Sequence, residues 1–325
     1  MFEANNFHDI YIYGLKEHSN NYECINIPRD CRQKEKIFYT FKLTNPIERV
    51  CYEKARKANL VFQYAEFLWY LSGSDQLDFI SYYAKGIKKF SKDGVRLTGT
   101  AYGTKLRGSY FQNPMDQIET VIELLKAEPD TKRAVISIFQ PQELLDFDSN
   151  IDVSCTLSIQ YMIRDKKLIS IVNMRANDMF LGIISDVFSF TMLQEYIANR
   201  LGIEVGEYYH VVGSSHIYEQ NWEIAEKIIQ CNKKYADYQM KFPKMVSNNL
   251  EQDIEAVLYH EKMLRENKEK LTADLIDKFS ISNYWKQVIM LFELQRENNY
   301  EGKLNQRNKE YLYPVFFYFA DMKFQ

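Results

Sequence analysis

The sequence has few cysteines, and they lack the arrangement that a disulfide framework or a metal site would need. The five are Cys24, Cys31, Cys51, Cys155 and Cys231. Their number is odd and no pair has the spacing of metal ligands. Such a set is typical of a reduced, cytosolic protein. We therefore expect a cytoplasmic protein with no metal centre.

Long apolar runs and an excess of positive charge are also missing. No apolar stretch approaches the about 20 residues of a membrane helix, and the N-terminal "MFEANNFHDIYIYG" has acids in place of the apolar part of a signal peptide. The 325-residue chain has a net charge of −3 and a pI of about 6.1. We expect no membrane association and no long nucleic acid as partner. A few local arginines would still suffice for a small anionic ligand.

Apolar and aromatic side chains are plentiful, at 46% and 15% of the chain, which is enough for a sizeable core. Residues 11–46 read as strands interrupted by a polar loop around Arg29. A helix should stop at Gly73, and the glycine-rich residues 92–108 should be irregular. A second helix should end before Pro129. Its apolar face comprises Ile118, Val121, Ile122 and Leu125.

The middle of the chain predicts a sheet. Residues 133–140 and 155–175 are strand-like, and "RDKK" in the second run serves as a hairpin turn. Residues 186–202 read as a long helix closed by a glycine, and residues 206–221 as a strand with its exit loop. After residue 222 the sequence becomes helical and charged, which is most often a solvated helix face.

Two residues in apolar surroundings are candidates for chemistry. Cys155 stands at the start of a predicted strand, where a lone cysteine is most often a small core residue. It can also be a nucleophile, since a thiol of pKa ~8.5 is intrinsically reactive and a neighbouring arginine raises its thiolate fraction. Glu66, within "YAEFLWYL", is harder to explain structurally. An acid in that setting should have a raised pKa and can move protons.

Basic and sugar-binding candidates lie elsewhere in the chain. Four basic residues stand at the edges of apolar runs: Arg29, Lys132, Arg133 and Arg175. They form either surface salt bridges or a phosphate clamp, since the arginine fork suits phosphate. His216 and Tyr218 alternate along a strand, so both face one side. They are either core residues or a pair that grips a sugar hydroxyl.

The order of six motifs is more specific than any single residue. "YAEFLWYLSG", "AYGTKLRG", "TKRAVISIF", "VSCTLSIQY", "MRANDMFLG" and "GSSHIYEQN" follow one another as in the thymidylate synthase superfamily, which the chain resembles over roughly residues 25–222. The resemblance implies an α/β fold with a large mixed sheet flanked by helices, and a homodimer through back-to-back sheets. It suggests one domain over residues 1–325, with a helical C-terminal extension at about 223–325.

The resemblance also implies the substrates, a pyrimidine nucleoside monophosphate and 5,10-methylenetetrahydrofolate. Cys155 matches the nucleophile that adds to pyrimidine C6, so that C5 can attack the one-carbon unit of the folate. Glu66 matches the acid that handles protons through ordered water, and Tyr102 matches a tyrosine near the nucleophile. Arg175 matches an arginine that touches the phosphate and the nucleophile, and Arg29 a phosphate-binding arginine.

Other matching positions concern the dimer, the sugar and the folate. Lys132 and Arg133 match a phosphate-binding pair donated by the partner subunit. His216 and Tyr218 match the pair that holds the 3′-hydroxyl. Asp178 matches an aspartate at the boundary between the pyrimidine and the folate. Gly182 and Phe90 match positions near the folate. Synthases have a tryptophan in the segment that contains Phe90, and its absence here is consistent with a wetter pocket.

Two departures from the synthases concern the substrate. Asp186 replaces an asparagine whose amide pairs with uracil. A carboxylate accepts from the amine of cytosine and repels uracil O4, so Asp186 predicts a cytosine base. The same aspartate occurs in phage deoxycytidylate hydroxymethylases, in which water captures the exocyclic methylene. Ala176 replaces a serine, which gives up a hydrogen bond of about 1 kcal/mol and frees space near the sugar. Cytidylate hydroxymethylases of nucleoside-antibiotic pathways also have alanine here, so we expect CMP rather than dCMP.

The sequence therefore predicts an enzyme, a folate-dependent CMP or dCMP 5-hydroxymethylase. A methylase remains an alternative, either thymidylate synthase itself or a cytidylate methylase, because no residue excludes hydride transfer. A non-catalytic nucleotide-binding homologue is a third reading. It is disfavoured because a binding protein does not need the implied nucleophile Cys155 or the acid Glu66.

Overall fold

The computed structural model describes residues 1–108, 115–145 and 149–324. The strands within these ranges are β1 (Phe2–Ala4), β2 (Cys24–Asn26), β3 (Gln33–Leu43), β4 (Val135–Ser137), β5 (Thr156–Arg164), β6 (Lys167–Asp178) and β7 (Glu204–Tyr218). The α-helices are α1 (Phe7–Asn20), α2 (Leu60–Ser72), α3 (Leu77–Tyr83), α4 (Tyr102–Leu106), α5 (Gln117–Ala127), α6 (Gly182–Leu201), α7 (Trp222–Cys231), α8 (Leu250–Arg265), α9 (Ala273–Ile276), α10 (Asn283–Arg296), α11 (Gln306–Glu310) and α12 (Pro314–Lys323).

The strands form one mixed sheet in the order β1-β3-β7-β6-β5-β4, with β2 beside β3. The β1–β3 and β6–β7 pairs are parallel and the others antiparallel. Asp165 and Lys166 join β5 to β6 with φ of 50° and 59°, the left-handed conformation that a two-residue hairpin needs. The predicted α/β class, mixed sheet and hairpin are confirmed.

The two faces of the sheet differ in burial. On β7, Tyr208, His210 and Val212 are buried beneath the helices, and the intervening Tyr209 and Val211 are only partly buried. The helices α1 and α6 contact the covered face. On the opposite face Val135 and Leu157 remain 43% and 36% exposed. That face therefore carries apolar side chains that the described helices do not cover.

Several predicted helix ends are confirmed because their signals are local. Helix α2 ends at Gly73 with φ 70°, and α6 ends at Gly202 with φ 68°, the conformation in which glycine avoids a Cβ clash. Helix α5 ends two residues before Pro129. Its buried face contains the four residues expected there, Ile118, Val121, Ile122 and Leu125.

Two predictions of secondary structure are wrong. Residues 11–20 belong to helix α1, although their tyrosines and isoleucines favoured a strand. The Asn6 side chain caps α1 by accepting from the Asp9 N–H at 2.8 Å. The buried residues of α1 follow the helical period, so packing overrode strand propensity. Residues 102–106 form the short helix α4 within the segment predicted to be irregular.

The C-terminal helices pack against the helix that carries Glu66. Helices α8, α10 and α12 contact α2, and Tyr64 of α2 hydrogen-bonds Tyr284 of α10 at 2.8 Å between hydroxyls. A buried ion pair connects α6 with the segments before α2 and α8: Arg49 Nη2 lies 2.5 Å from Glu195 Oε2 of α6, while Glu195 Oε1 accepts from the Met245 N–H. Within the described ranges, no helix has the length and apolar character needed to cross a membrane.

Candidate active site

Cys155 immediately precedes β5 and lies beside Arg175 of the neighbouring strand β6. Arg175 Nη2 is 3.7 Å from the Cys155 Sγ. The guanidinium also donates to the carbonyls of Ser154 at 2.8 Å and Val153 at 3.0 Å, which fixes it against the chain leading to the thiol. Burial raises the pKa of Cys155, and the charge of Arg175 opposes that rise. The thiol is therefore mainly protonated, with a fixed cation ready to stabilise its thiolate.

Helix α4 fixes the residues on both sides of Cys155. The Tyr102 hydroxyl accepts from the Thr156 N–H at 3.2 Å, and the Lys105 ammonium donates to the Ser154 hydroxyl. Tyr102 and Lys105 are buried. Tyr102 was expected near the nucleophile from the family motif, whereas Lys105 was not singled out. The spacing i, i+3 places both side chains on one face of the helix.

Lys105 is held by a buried ion pair that the sequence did not reveal. Its Nζ lies 2.6 Å from Glu143 Oε1, and Glu143 Oε2 accepts from the Ser154 N–H at 2.6 Å. Asp152, further along the same loop, accepts backbone N–H bonds from Thr98 and Gly99 at 2.8 and 2.9 Å. Two carboxylates thus tie the chain before Cys155 to α4 and to the loop before it, which limits the freedom of that chain to move.

Glu66 of α2 and Asp186 of α6 are two partly buried residues whose carboxyls lie near enough to interact electrostatically. Burial raises the pKa of Glu66 to about 8, and the charge of Asp186 adds to the rise. Ser189 donates to Glu66 Oε2 at 3.0 Å. Burial likewise raises the pKa of Asp186 to about 7. A raised pKa was expected for Glu66 from its apolar surroundings, and its value lets the group give and take protons near neutral pH.

Asp186 belongs to a chain of hydrogen bonds that sequence reasoning missed. Asn177 Nδ2 donates to Asp186 Oδ2 at 2.7 Å, and Asn177 Oδ1 lies 3.0 Å from His210 Nε2. The Tyr208 hydroxyl is 2.7 Å from His210 Nδ1. The only available signal was the alternation of Tyr208 and His210 along one strand, which does not identify partners on other elements.

Asp178, His216 and Tyr218 lie together at the ends of β6 and β7. Asp178 and His216 are partners in the strand register, and the rings of His216 and Tyr218 meet edge to face at 4.9 Å. Asp178 Oδ1 accepts from the Phe180 and Leu181 N–H groups at 2.8 and 3.2 Å, which shapes the turn into α6. Its Oδ2 takes no hydrogen bond within the described residues, so it can accept one from a ligand.

The four basic candidates do not all lie near Cys155. Arg29 donates to the Ile151 carbonyl at 3.4 Å, beside the chain that leads to Cys155. Arg133 instead pairs with Glu128 on the surface, and its side chain is 73% exposed. In the described part of the chain, neither Lys132 nor Arg133 contacts Cys155. Within one protomer, the described contacts of Lys132 and Arg133 therefore give them no role at the Cys155 thiol.

The remaining candidates are Ala176, Gly182 and Phe90. Ala176 lies on β6, partly buried, with Ser214 of β7 as its register partner. A Cβ on Gly182 would come within 3.3 Å of Asn177 Nδ2 and 3.4 Å of Asp186 Oδ2, so this glycine leaves room for that pair. Phe90 is partly buried, and no described contact brings it to Cys155. Among the described side chains, no group of three could hold a metal ion.

The chain is similar to known proteins. A family model described as thymidylate synthase matches residues 30–284. A protein named deoxyuridylate hydroxymethyltransferase from Bacillus phage SP01 is 37% identical over 201 residues, which are 59% of this chain and 52% of that protein. A protein of the same name from Pseudomonas phage M6 is 32% identical over 177 residues, 54% of this chain and 49% of that protein. The chain thus spans about half the length of these curated relatives.

The contact between Arg175 and Cys155 predicts the reactivity of the thiol. Replacing Arg175 by methionine removes the charge that favours the thiolate, so the pKa of Cys155 should rise further. Each unit of pKa lowers the thiolate fraction at pH 7 about tenfold. We expect alkylation of Cys155 by iodoacetamide, followed by peptide mass spectrometry, to slow by about that factor in Arg175→Met.

The molecule supplies the controls for this measurement. Cys31 and Cys231 are exposed and should react at the same rate in every variant. Cys51 is buried, with its pKa raised to about 12, and should stay unmodified. The variant Arg164→Met removes an arginine from the far end of β5 and should leave Cys155 unaffected. Equal Cys155 rates in the wild type and Arg175→Met would contradict the assigned role.

Proposed function

The chain belongs to the thymidylate synthase family, as its motifs predicted, and from this premise we propose that it is a folate-dependent 5-hydroxymethylase of cytidine monophosphate. In the proposed reaction CMP or dCMP, 5,10-methylenetetrahydrofolate and water give the 5-hydroxymethyl nucleotide and tetrahydrofolate. The names of the two phage relatives support hydroxymethyl transfer. Those names specify a uracil nucleotide, so the choice of cytosine rests on this chain's own residues, above all on the bond between Asn177 and Asp186.

The nucleophile and its surroundings support covalent catalysis. Cys155 as thiolate adds to C6 of the pyrimidine, and Arg175 stabilises the thiolate before the bond forms. The folate supplies a one-carbon unit, which becomes attached to C5. Glu66, with a pKa of about 8, takes up and returns protons at the pyrimidine. Loss of the C5 proton breaks the bond between the one-carbon unit and the folate nitrogen, so tetrahydrofolate leaves and an exocyclic methylene remains on C5. Water adds to this methylene as the sulfur leaves C6, and the thiolate returns to its place beside Arg175.

Asp186 supports a cytosine base through its free oxygen. Oδ2 accepts from Asn177, and Oδ1 takes no hydrogen bond within the described residues, so it can accept from the exocyclic amine of cytosine. Uracil would present O4 there, and two acceptors would face each other. A mismatched pair of acceptors costs roughly 1–3 kcal/mol, which corresponds to about 5- to 150-fold in affinity. The pKa of about 7 at Asp186 also allows it to share a proton with cytosine N3 near neutral pH.

The folate is proposed to lie beside the turn between β6 and α6. Asp178 directs one carboxylate oxygen into the turn and keeps the other available to accept from an N–H of the pterin ring. Gly182 starts α6 at the same turn. Phe90 is proposed as a further contact on that side. His216 and Tyr218, at the ends of the same strands, are proposed to hold the sugar hydroxyl, and Arg29 the phosphate.

A competition assay tests the reaction and the base together. Purified protein is given methylenetetrahydrofolate with CMP, dCMP, UMP and dUMP at equal concentrations, and the products are measured by mass spectrometry. We expect a cytosine nucleotide to gain CH2O, with tetrahydrofolate as the other product. Asp186→Asn should shift the preference toward uracil by about tenfold or more, because the amide offers a donor to O4.

Three results of the assay would overturn parts of the proposal. Turnover of dUMP alone by the wild type would contradict the choice of base. A gain of CH2 with dihydrofolate would identify a methylase. Absence of any product or Cys155 adduct would favour a binding protein. Asp165→Asn, the same exchange at the exposed hairpin, is the matched control and should retain wild-type selectivity, and Cys155→Ala should abolish turnover.

The choice of sugar is proposed to depend on Ala176. A serine there would restore a hydroxyl and fill the space that a ribose 2′-hydroxyl needs. We therefore expect Ala176→Ser to raise the ratio of dCMP to CMP turnover by about fivefold, the value of one neutral hydrogen bond. The ratio of kcat/KM values for the two nucleotides measures it. An unchanged ratio would show that another residue selects the sugar.

A homodimer through the uncovered sheet face is part of the proposal. The support is the half-exposed apolar face that includes Val135 and Leu157, together with the distance of Lys132 and Arg133 from any contact with Cys155 in their own protomer. Both basic residues lie just before β4, the edge strand of that sheet. A partner subunit seated on the face would bring its own pair toward this protomer's phosphate site.

Mixed dimers test this arrangement. Cys155→Ala and Arg133→Ala proteins should each be strongly impaired alone. After unfolding and refolding together, about one quarter of the wild-type activity should return, because about half of the dimers are mixed and each mixed dimer has one complete site. No recovery, or a monomer in sedimentation, would contradict donation of Arg133 by the partner. Arg164→Ala in place of Arg133→Ala should be active without mixing.

A further inference from the structure

The hydrogen-bond chain from Tyr208 to Asp186 runs inward from the sheet to the proposed base-binding carboxyl. Tyr208 and His210 are 0% exposed on β7, and Asn177 is 4% exposed on β6. The chain ends at Asp186 on α6, so it joins two strands and a helix. With the nucleotide at Asp186, neither Tyr208 nor His210 would touch it, because Asn177 stands between.

The direction of this chain depends on where its hydrogens lie. An asparagine amide has a donor end and an acceptor end, and its orientation is set by its partners. Burial lowers the pKa of His210 to about 3, so its ring is neutral and carries one N–H. Two arrangements are therefore consistent with the heavy-atom distances. In one, His210 donates to Asn177 Oδ1; in the other, the amide is turned and donates to His210.

The Tyr208 hydroxyl decides between the two arrangements. Its oxygen lies 2.7 Å from His210 Nδ1, the only partner it has among the described residues. Burial keeps the phenol protonated by raising its pKa well above the usual value. A buried O–H without an acceptor is costly. Nδ1 must therefore accept from Tyr208, which leaves the hydrogen on Nε2 and directs the amide NH2 of Asn177 to Asp186.

We propose that Tyr208 and His210 are positioning residues for base selection, which hold the Asn177 amide so that its NH2 group donates to Asp186. This inference rests on the proposed use of Asp186 to read cytosine. With the donor in place, Asp186 stays an acceptor toward the exocyclic amine of the base. In the turned arrangement Asn177 would present an oxygen at 2.7 Å, and Asp186 would need a proton to meet it. A neutral Asp186 has lost its negative charge, so its free oxygen accepts more weakly from the cytosine amine and repels uracil O4 less than a carboxylate does.

The variant Tyr208→Phe removes the hydroxyl that sets this direction and keeps the buried ring. We measure the affinities for CMP and UMP by calorimetry, and the tautomer of His210 in ligand-free protein from the 15N chemical shifts of its ring. The protein has five histidines, so the ring signals can be assigned. We expect the CMP to UMP affinity ratio to fall about fivefold or more, the equivalent of one hydrogen bond. The pure Nε2–H signal of the wild type should also be lost.

Tyr161→Phe is the matched control. Tyr161 is an equally buried tyrosine of β5 in the same sheet, and its hydroxyl is outside the chain to Asp186. This variant should keep the affinity ratio and the His210 tautomer of the wild type. A loss of packing alone would change the melting temperature of both variants and leave the ratio unaltered.

The two readouts separate this inference from the proposed function. A wild type that binds UMP as tightly as CMP contradicts the choice of cytosine, whereas the tautomer still decides the role of Tyr208. A wild-type His210 with its hydrogen on Nδ1 overturns the inference, even if Tyr208→Phe does not fold. A folded Tyr208→Phe with an unchanged ratio and an unchanged tautomer overturns it as well.

Discussion

The partial burial of two interacting carboxyls, Glu66 and Asp186, is the constraint on which the candidate site depends. Two carboxylates removed from water cannot both stay charged at low cost, so each pKa rises, to about 8 and about 7. Ser189 supplies one donor and Asn177 the other. The pair can thus hold a proton for chemistry at Glu66 and keep an acceptor at Asp186.

Contacts to the residues on either side of Cys155 fix the position of its thiol, whereas the pKa of the thiol is raised rather than lowered. Burial raises the pKa of Cys155, and only Arg175 offers a fixed positive charge within 4 Å of its sulfur among the described contacts. Both neighbours of Cys155 are held from α4, through Tyr102 and through Lys105 with its buried partner Glu143. In the proposed reaction, this fixed direction of attack would offset a small thiolate fraction, because orientation lowers the barrier independently of pKa.

The sequence predicted those features whose signals are local. Gly73 and Gly202 end helices, "RDKK" forms the hairpin, and the motif order identified Cys155 and Arg175, which the fold brings into contact. The strand predicted for residues 11–20 failed because packing, rather than propensity, decided that segment. Lys105, Glu143, Asn177, Tyr208 and His210 were missed, since a lysine or histidine acquires its partner only when distant segments meet.

Under the proposed function, base selection reduces to which atoms carry hydrogen at position 186. The phage relatives are named for a uracil nucleotide and share about a third of their aligned residues with this chain. Exchange of a nitrogen for an oxygen at position 186 alters little volume, so the proposed change of base requires no change in the sheet and helices. Such an oxygen needs a donor of fixed direction, otherwise it would take a proton and lose its selectivity. A buried polar chain through the sheet meets that need without adding a group that touches the nucleotide.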